Sequence, residues 1–268
     1  MSNHKPEKIT SPKNPRVQWI RALLSDRTVR KAENLFITEG VRLSEEVLNA
    51  GIVPNSILFT EENTSRGKDL IQRSLEAGAQ GFEVSSEVMK KISDTETAQG
   101  ILMVVPQTAI PVPEKCNLVL ILDQLRDPGN CGTILRTAAA AGVQLVFNAP
   151  GSADLFMPKV VRAGMGAHFR MCIRQADWSE IQQYCKPRSG PHLNMFLAES
   201  GDGMNMWQAN LRDPLALIIG GEAEGASIEA RNTADHFIHI PMPGQFESLN
   251  AGVAASILLF EIIRQRTQ

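Results

Sequence analysis

Short apolar runs alternate with stretches of helical period along the first hundred residues. The apolar runs are NLFIT, SILFT, GFEVS and GILMVV, and helices are predicted at 15–24, 40–50 and 68–77. Gly51 is a suitable stop for the second of these helices, because glycine readily adopts the left-handed conformation that follows many helix ends. This alternation predicts a small α/β unit.

A second series of apolar runs begins after residue 117. It comprises LVLILD, QLVFN, MFLAE, LALIIG and FIHIP, separated by helical segments. Continuous apolar runs of this length are typical of parallel strands that are covered on both faces. The second part of the chain is therefore predicted to be α/β with a parallel sheet, and its ligand-binding loops should follow the carboxyl ends of the strands.

The segment between the two series contains three prolines and has neither a helical nor a strand period. We interpret it as a linker. The expected organisation is a first domain over residues 1–105, a linker over 106–117 and a second domain over 118–268.

The composition is that of an ordinary globular protein, since 43% of the 268 residues are hydrophobic and 21% are charged. No apolar run could span a membrane and no signal peptide is recognised, so we expect a cytoplasmic protein without a membrane partner. The cysteines are scattered without a metal-binding spacing, so we expect reduced, mostly buried thiols and no metal. They are Cys116, Cys131, Cys172 and Cys185.

The net charge of −2 does not itself suggest a nucleic-acid partner. The charge is unevenly distributed, however, because residues 1–42 hold nine lysines and arginines against four acidic residues. This basic segment is either a solvated helix face or an RNA-binding surface, and the sequence leaves both interpretations open.

Three predicted strand-end loops carry residues that could bind a ligand. In LDQLRDPGNCGTILRTAAAAGV, residues 122–143, Asn130 could cap a helix that also carries Arg136. In GGEAEG, residues 220–225, paired glycines would expose backbone groups beside Glu222. In IPMPGQFESLN, residues 240–250, Ser248 or Asn250 could cap the last helix. Taken singly, each loop is also explained by ordinary capping and tight turns.

Taken together, the order and spacing of these segments resemble the SpoU-type (TrmH-like) branch of the SPOUT RNA methyltransferases. The motifs that carry the resemblance are NCGTILRTAAAAG, GGEAEG and IPMPGQFESLNAGVAASILLFE, within residues 118–266. Residues 10–105 are similar to the small ribosomal-protein-like domain that precedes the catalytic domain in many members. The resemblance implies a C-terminal trefoil knot, a homodimer, S-adenosylmethionine as cofactor, and methyl transfer to a ribose 2′-hydroxyl of RNA.

The site residues that the resemblance implies are assigned by position. The catalytic candidates are Asn130, Arg136, Glu222, Ser248 and Asn250, and the cofactor-binding candidates are Gly220, Ile240 and Leu249, with Met242, Ala198 and Glu199 as weaker ones. At Glu199 the chain departs from the family pattern, where a small or hydroxylated residue is more usual.

The resemblance places Arg136 at the reacting hydroxyl. Because a guanidinium keeps its proton to above about pH 12, a clamp for the adjacent phosphate and for developing negative charge is a better role than general base. Asn130 and Glu222 are expected to orient the arginine and the RNA, and the third-motif polar residues to hold the loops.

Other functions remain open at this point. An RNA-binding assembly factor without catalysis would keep the same fold, and a dinucleotide-dependent oxidoreductase is compatible with the α/β pattern, although no GxGxxG turn supports it. The resemblance favours ribosomal RNA over transfer RNA as the substrate, because members of the family with this two-domain layout commonly act on large-subunit ribosomal RNA. His236 and His239 lie in a predicted strand, and we expect them to be structural.

Overall fold

The computed structural model describes residues 6–95, 97–107, 110–201, 203–222, 224–244 and 247–268. The chain divides into two compact units. The first contains the chain up to residue 109 together with Phe156–Phe169, and the second contains Ile110–Leu155 and Arg170–Gln268. The first unit is therefore assembled from two separate stretches of sequence.

In the first unit, the described residues form a five-stranded mixed sheet in the order β1-β4-β3-β5-β2. The strands are β1 (Glu7–Ile9), β2 (Leu35–Glu39), β3 (Ser56–Phe59), β4 (Gln80–Val84) and β5 (Ile101–Pro106). The helices are α1 (Pro15–Ser25), α2 (Arg27–Glu33), α3 (Val41–Asn49), α4 (Ser65–Glu76), α5 (Ser86–Ile92) and, from the later stretch, α7 (Pro158–Gly164). A short 3₁₀ helix at Ala167–Phe169 follows α7.

Both faces of this sheet are covered by apolar side chains. Leu58 belongs to a core that also contains Val17 of α1 and Val88 of α5, whereas its neighbour Ile57 belongs to a second core with Val47 of α3. Adjacent strand residues thus point to opposite faces and bury separate helical layers. The four predicted strands are confirmed, and Gly51 follows α3 with a φ of 72°, as predicted.

One member of the basic segment at residues 1–42 is a structural residue. Arg30 is buried, and its Nη1 donates hydrogen bonds to the Leu23 carbonyl at 2.6 Å and the Leu24 carbonyl at 3.0 Å. These carbonyls lie in the last turn of α1, where the helix itself offers no donors. Arg30 therefore closes the end of α1 and is not part of a solvated face.

Replacing Arg30 should destabilise the first unit. We expect Arg30→Ala to lower the free energy of unfolding by roughly 2 kcal/mol, because buried carbonyls lose charged donors. The matched control is Lys31→Ala, since Lys31 is exposed on the same helix and should change stability by less than about 0.5 kcal/mol. Urea unfolding measures both. Equal stability of the two variants would contradict the role given to Arg30.

In the second unit, the strands found in the described part of the chain form a seven-stranded sheet in the order β10-β12-β9-β11-β6-β7-β8. They are β6 (Leu118–Leu122), β7 (Leu145–Asn148), β8 (Cys172–Gln175), β9 (Asn194–Ala198), β10 (Met204–Asn205), β11 (Leu215–Ile219) and β12 (His236–His239). The helices are α6 (Pro128–Ala140), α8 (Trp178–Cys185), α9 (Ile228–Thr233) and α10 (Ala251–Arg266).

Each pairing between these strands is parallel. The central strands are buried on both faces, and every residue of β6 and β11 is buried. The predicted fold class, α/β with a parallel sheet, is confirmed, and so are all five strands predicted here. β8 and β10 were not predicted, because CIRQ is half polar and β10 has two residues. The trefoil knot stays a prediction.

The parallel arrangement places the carboxyl ends of the strands at one edge of the sheet. The loops that follow β6, β9, β11 and β12 emerge at this edge. The helices that begin after the first and last of these loops, α6 and α10, pack on each other, with a hydrogen bond of 3.1 Å between the hydroxyls of Thr137 and Ser256. The three sequence motifs therefore converge on one edge.

The predicted linker differs in part from the structure. Pro106 is the last residue of β5, residues 108 and 109 lie outside the described residues, and no helix or strand is found over 110–117. The prediction that the cysteines are mostly buried is confirmed, since all four are buried. Among the described residues, no helix has the length and apolarity needed to cross a membrane.

Candidate functional site

A chain of side-chain hydrogen bonds joins the three motif loops. The amide Nδ2 of Asn130 donates to Glu222 Oε1 at 2.7 Å, and Asn250 Nδ2 donates to Asn130 Oδ1 at 2.9 Å. Asn130 lies after β6, Glu222 after β11 and Asn250 before α10. Three of the five catalytic candidates are therefore in direct contact, although 92 and 120 residues separate them in sequence.

The side chain of Asn130 can make these contacts because a different residue caps helix α6. The N-cap of α6 is Asp127, whose Oδ1 accepts the backbone N–H of Asn130 at 2.7 Å, and Pro128 occupies the first turn. The prediction that Asn130 caps this helix is wrong, because the cap, Asp127, lies three residues before Asn130. Asn250 does cap α10, since its Oδ1 accepts the N–H groups of Gly252 and Val253 at 2.9 and 3.3 Å.

Arg136 lies on the exposed side of α6, about 9 Å along the helix axis from Asn130 at 1.5 Å per residue. No hydrogen bond or ion pair joins its guanidinium to another described residue, so neither Asn130 nor Glu222 orients it directly. Ser248 is exposed as well, and no side-chain hydrogen bond is found for it within the described chain. Both side chains are accessible to a large substrate.

A cavity of about 650 Å³ opens at the same edge of the sheet. All six cofactor candidates line it, namely Ala198, Glu199, Gly220, Ile240, Met242 and Leu249. Glu222, Ser248 and Asn250 also line it, whereas Asn130 and Arg136 do not. Its volume lies in the range of cavities that enclose small organic ligands.

Two glycines at the end of β11 shape the floor of the cavity. A Cβ on Gly220 would lie 2.8 Å from the backbone nitrogen of Ala226, and a Cβ on Gly221 would lie 2.3 Å from the carbonyl oxygen of Gln124. Real Cβ atoms do not approach backbone this closely. The loop after β11 therefore needs glycine at both positions, and its backbone borders the cavity without side chains in the way.

Asp123 and Ser227, which the sequence did not indicate as site residues, connect the loop after β11 to the end of β6. Asp123, at the end of β6, is fully buried and accepts the N–H of Ser227 at 2.6 Å and the Ser227 hydroxyl at 3.1 Å. Burial raises the pKa of the Asp123 carboxyl. The only sequence signal for this contact is an acidic residue directly after an apolar strand. Ser227 in turn caps α9.

The unusual Glu199 is part of an ion pair. Arg231 Nη1 donates to Glu199 Oε2 at 2.8 Å, and Arg231 Nη2 also contacts the second carboxylate oxygen. Arg231 belongs to α9, so the pair links that helix to the end of β9 at the cavity. The negative charge of Glu199 is thereby balanced where a small or hydroxylated residue was expected.

The two strand histidines make structural contacts. His239 Nδ1 lies 3.1 Å from the Gly203 carbonyl, and the ring of His236 packs on Phe196 with centroids 5.0 Å apart. Within the described ranges, no group of three or more His, Cys, Asp or Glu side chains could hold a metal ion.

Comparison with known proteins assigns the family. The model of the SpoU rRNA Methylase family matches residues 117–260, which is more than half of the chain. The chain belongs to the SpoU rRNA methylase family. The model of the MRM3-like substrate binding domain matches residues 14–103 of this SpoU protein. The resemblance inferred from the three motifs is confirmed.

Relatives of this SpoU protein are similar to it over nearly its whole length. It is 30% identical to the 23S rRNA (guanosine(2553)-2′-O)-methyltransferase of Bacillus subtilis, over 96% of this chain and 99% of that one. It is 32% identical to the human mitochondrial rRNA methyltransferase 3, over 95% of this chain and 73% of that one.

A solved structure shows the same similarity in three dimensions. The SpoU methyltransferase AviRb from Streptomyces viridochromogenes, in complex with the cofactor AdoMet, superimposes with a TM-score of 0.87. The two sequences are 25% identical, and the alignment covers 96% of this chain and 99% of that chain. AdoMet is S-adenosylmethionine. The similarity therefore extends to a protein that binds the predicted cofactor.

Proposed function

We propose that this SpoU protein transfers a methyl group from S-adenosylmethionine to a ribose 2′-hydroxyl of ribosomal RNA. The observation that carries the proposal is the strand-end cavity, whose lining includes every predicted cofactor position and three predicted catalytic residues. The relatives from Bacillus subtilis and from human mitochondria are ribosomal RNA methyltransferases, and the Bacillus subtilis protein is named for 2′-O-methylation. Ribosomal RNA is therefore favoured over transfer RNA.

The cavity fits S-adenosylmethionine chemically as well as in volume. Apolar side chains of Ile219, Ile238, Ile240 and Leu258 suit an adenosine, while the bare backbone of Gly220 can hydrogen-bond its polar edge. Glutamates also line the cavity, and their negative charge favours a sulfonium cation. These features support binding by the backbone of the two glycine-containing loops.

The residues of the protein then position the reactants. S-adenosylmethionine supplies a methyl group on a sulfonium, which is already a reactive electrophile. The Asn250–Asn130–Glu222 chain fixes the loops of the cavity against α6, which carries Arg136. With its exposed guanidinium, Arg136 binds the RNA phosphate beside the reacting nucleotide and stabilises the negative charge that develops on the 2′-oxygen. As the 2′-oxygen bonds to the methyl carbon, the bond from that carbon to sulfur breaks, and the hydroxyl proton passes to phosphate, water or a neighbouring group.

A homodimer is part of this proposal. On α10, Val253 is 48% exposed and Phe260 is 53% exposed, on a helix face that continues with the half-buried Ile257. Two large apolar side chains exposed on one helix are a feature of protein contact surfaces. A second copy of the chain that covers this face would lie beside α6 and Arg136. The cytoplasmic location expected from the sequence also belongs to the proposal.

Cofactor binding by the cavity is tested by changing Gly220. We expect Gly220→Ala to weaken S-adenosylmethionine binding at least about tenfold, because the new methyl group would clash with the Gly225–Ala226 backbone and displace it, and this backbone lines the cavity. Gly129→Ala is the matched control, since Gly129 is not among the residues that line the cavity and a Cβ there meets only the side chain of Asp127, at 3.0 Å, among the described residues. Isothermal titration calorimetry measures both variants. Equal affinities would place the cofactor elsewhere.

The same titration tests whether S-adenosylmethionine is the cofactor. The unmodified protein should bind S-adenosylmethionine and not NAD. Binding of NAD without binding of S-adenosylmethionine would favour the oxidoreductase alternative.

The RNA target is found by mapping 2′-O-methylation in ribosomal and transfer RNA of cells that lack the protein. Loss of one ribosomal 2′-O-methyl group supports the proposal, whereas loss from transfer RNA alone would move the substrate to that class.

A further inference from the structure

An exposed ion pair links the first and second motif loops beside the predicted site residues. Arg126 precedes α6, and its Nη2 lies 3.3 Å from Glu224 Oε2 and 3.3 Å from Gln124 Oε1. The side chains of Arg126 and Glu224 are 63% and 72% exposed. Neither residue is among the catalytic or cofactor-binding residues predicted from the sequence.

This ion pair is not needed to hold the two loops together. Their backbones already meet where Gly221 packs against the Gln124 carbonyl, and the Asn130–Glu222 hydrogen bond of 2.7 Å joins them again. Ion pairs between strongly exposed side chains contribute little to stability, because water and salt screen them. Arg126 can therefore leave Glu224 at small cost.

The carboxylates near the Arg126–Glu224 pair require a nearby cation if an RNA phosphate is to bind there. The described residues that line the cavity include Glu199, Glu222, Glu224 and Glu247, and none of these described residues is a lysine or arginine. An RNA phosphate that approaches these loops is repelled by the carboxylates unless cations offset them. Glu199 is balanced by Arg231. Glu222 has only the neutral amide of Asn130 as a hydrogen-bond partner among the described side chains.

Arg126 can supply that cation. In the described part of the chain, Nη2 is the only nitrogen of its guanidinium that makes a side-chain hydrogen bond. The remaining N–H donors form the planar fork that binds phosphate oxygens in pairs. Arg126 also lies ten residues before Arg136 in sequence and directly precedes Asp127, the cap of the helix that carries Arg136.

We propose that Arg126 is a second phosphate-binding residue for the RNA substrate and that Glu224 is its resting partner, which the phosphate displaces. The inference rests on the proposed function, since it takes RNA as the substrate. It predicts opposite effects for the two residues. Loss of Arg126 removes a phosphate contact, whereas loss of the Glu224 charge removes a competitor and a repulsion.

RNA binding by the full-length protein tests this inference. The probe is in vitro transcribed large-subunit ribosomal RNA, with affinity measured by filter binding at several salt concentrations. Arg126→Ala should raise the dissociation constant about three- to tenfold and reduce the salt slope by roughly 0.7 to 0.9, the value for one phosphate contact. Glu224→Gln should lower the dissociation constant about two- to threefold.

Arg188→Ala is the matched control. Arg188 is exposed and precedes β9, so it lies at the opposite, amino-terminal edge of the parallel sheet. It should change the dissociation constant less than about twofold. An equal loss in Arg188→Ala and Arg126→Ala, or weaker binding by Glu224→Gln, would overturn the inference.

The assay separates this inference from the proposed function. Methyl transfer by the unmodified protein to the same RNA reports on the function, whereas the ratio of dissociation constants reports on Arg126. RNA binding that depends on Arg126 without methyl transfer would leave the phosphate contact standing and remove the enzymatic function. Methyl transfer by the unmodified protein, together with unchanged RNA binding in Arg126→Ala, would support the enzymatic function and remove the phosphate contact of Arg126.

Discussion

Arg136→Ala is expected to lower the single-turnover rate of methyl transfer by about a hundredfold or more, about 3 kcal/mol of transition-state stabilisation. The guanidinium is exposed on α6, outside the cofactor cavity, so S-adenosylmethionine affinity should barely change. Stability should change by less than about 0.5 kcal/mol, because the side chain is not part of the core. Loss of rate with retained cofactor binding is the signature of a residue that acts on RNA in the transition state.

Arg136→Lys separates geometry from charge. Lysine keeps the positive charge but loses the planar fork, so a large defect in this variant would show that paired hydrogen bonds to phosphate matter. Arg188→Ala, with the same loss of charge at the other edge of the sheet, serves as the control and should retain full activity. Wild-type rates in both Arg136 variants would remove Arg136 from the mechanism.

Phe260→Glu is expected to convert a dimer into a monomer of about 29.4 kDa and to lower methyl transfer by at least about a hundredfold. Phe260 is half exposed on α10, the helix that packs on α6, so a buried glutamate there would have no partner in a dimer. Light scattering gives the mass, and the transfer assay gives the rate. Both should change together.

Ile228→Glu is the matched control for Phe260→Glu. Ile228 is 73% exposed on α9, so the variant carries the same new charge away from α10. It should keep the mass of the dimer. A wild-type protein that is monomeric at micromolar concentration and fully active would contradict the homodimer, whatever the variants do.

The strands of the second unit could be predicted because burial on both faces leaves a continuous apolar run. That signal fails where a strand is short or partly polar, as in β8, which is CIRQ, and in the two-residue β10. In the first unit, β1 was missed for the same reason, since Ile9 is its one buried residue. Local sequence patterns thus reveal central strands more readily than edge strands.

The candidate site could be predicted only in part. Glycine pairs and capping residues are local signals, and they correctly indicated the loops after β11 and before α10. The contacts of Asn130 with Glu222 and Asn250 connect distant segments, and no local pattern indicates them. Only the motif resemblance assigned these residues to one site, and it did not predict that Asp127 caps α6.

The second stretch of the first unit could not be predicted from composition. Val161 and Phe169 lie in the same apolar core as Phe36, so Phe156–Phe169 packs with the first unit. The expected boundaries assigned this stretch to residues 118–268. A linker rich in proline indicates where one connection runs, but it does not show that the chain returns later.

The most direct test of the proposed methyl transfer is mass spectrometry of nucleosides after incubation of RNA with the protein and S-adenosylmethionine. Purified protein and S-adenosylmethionine carrying a deuterated methyl group are incubated with ribosomal RNA from cells that lack the protein, and the RNA is digested to nucleosides. The proposed function predicts the deuterated label on a ribose 2′-oxygen at one ribosomal position, and its loss in Arg136→Ala. Label on a base, or no label on RNA although S-adenosylmethionine binds, would contradict it.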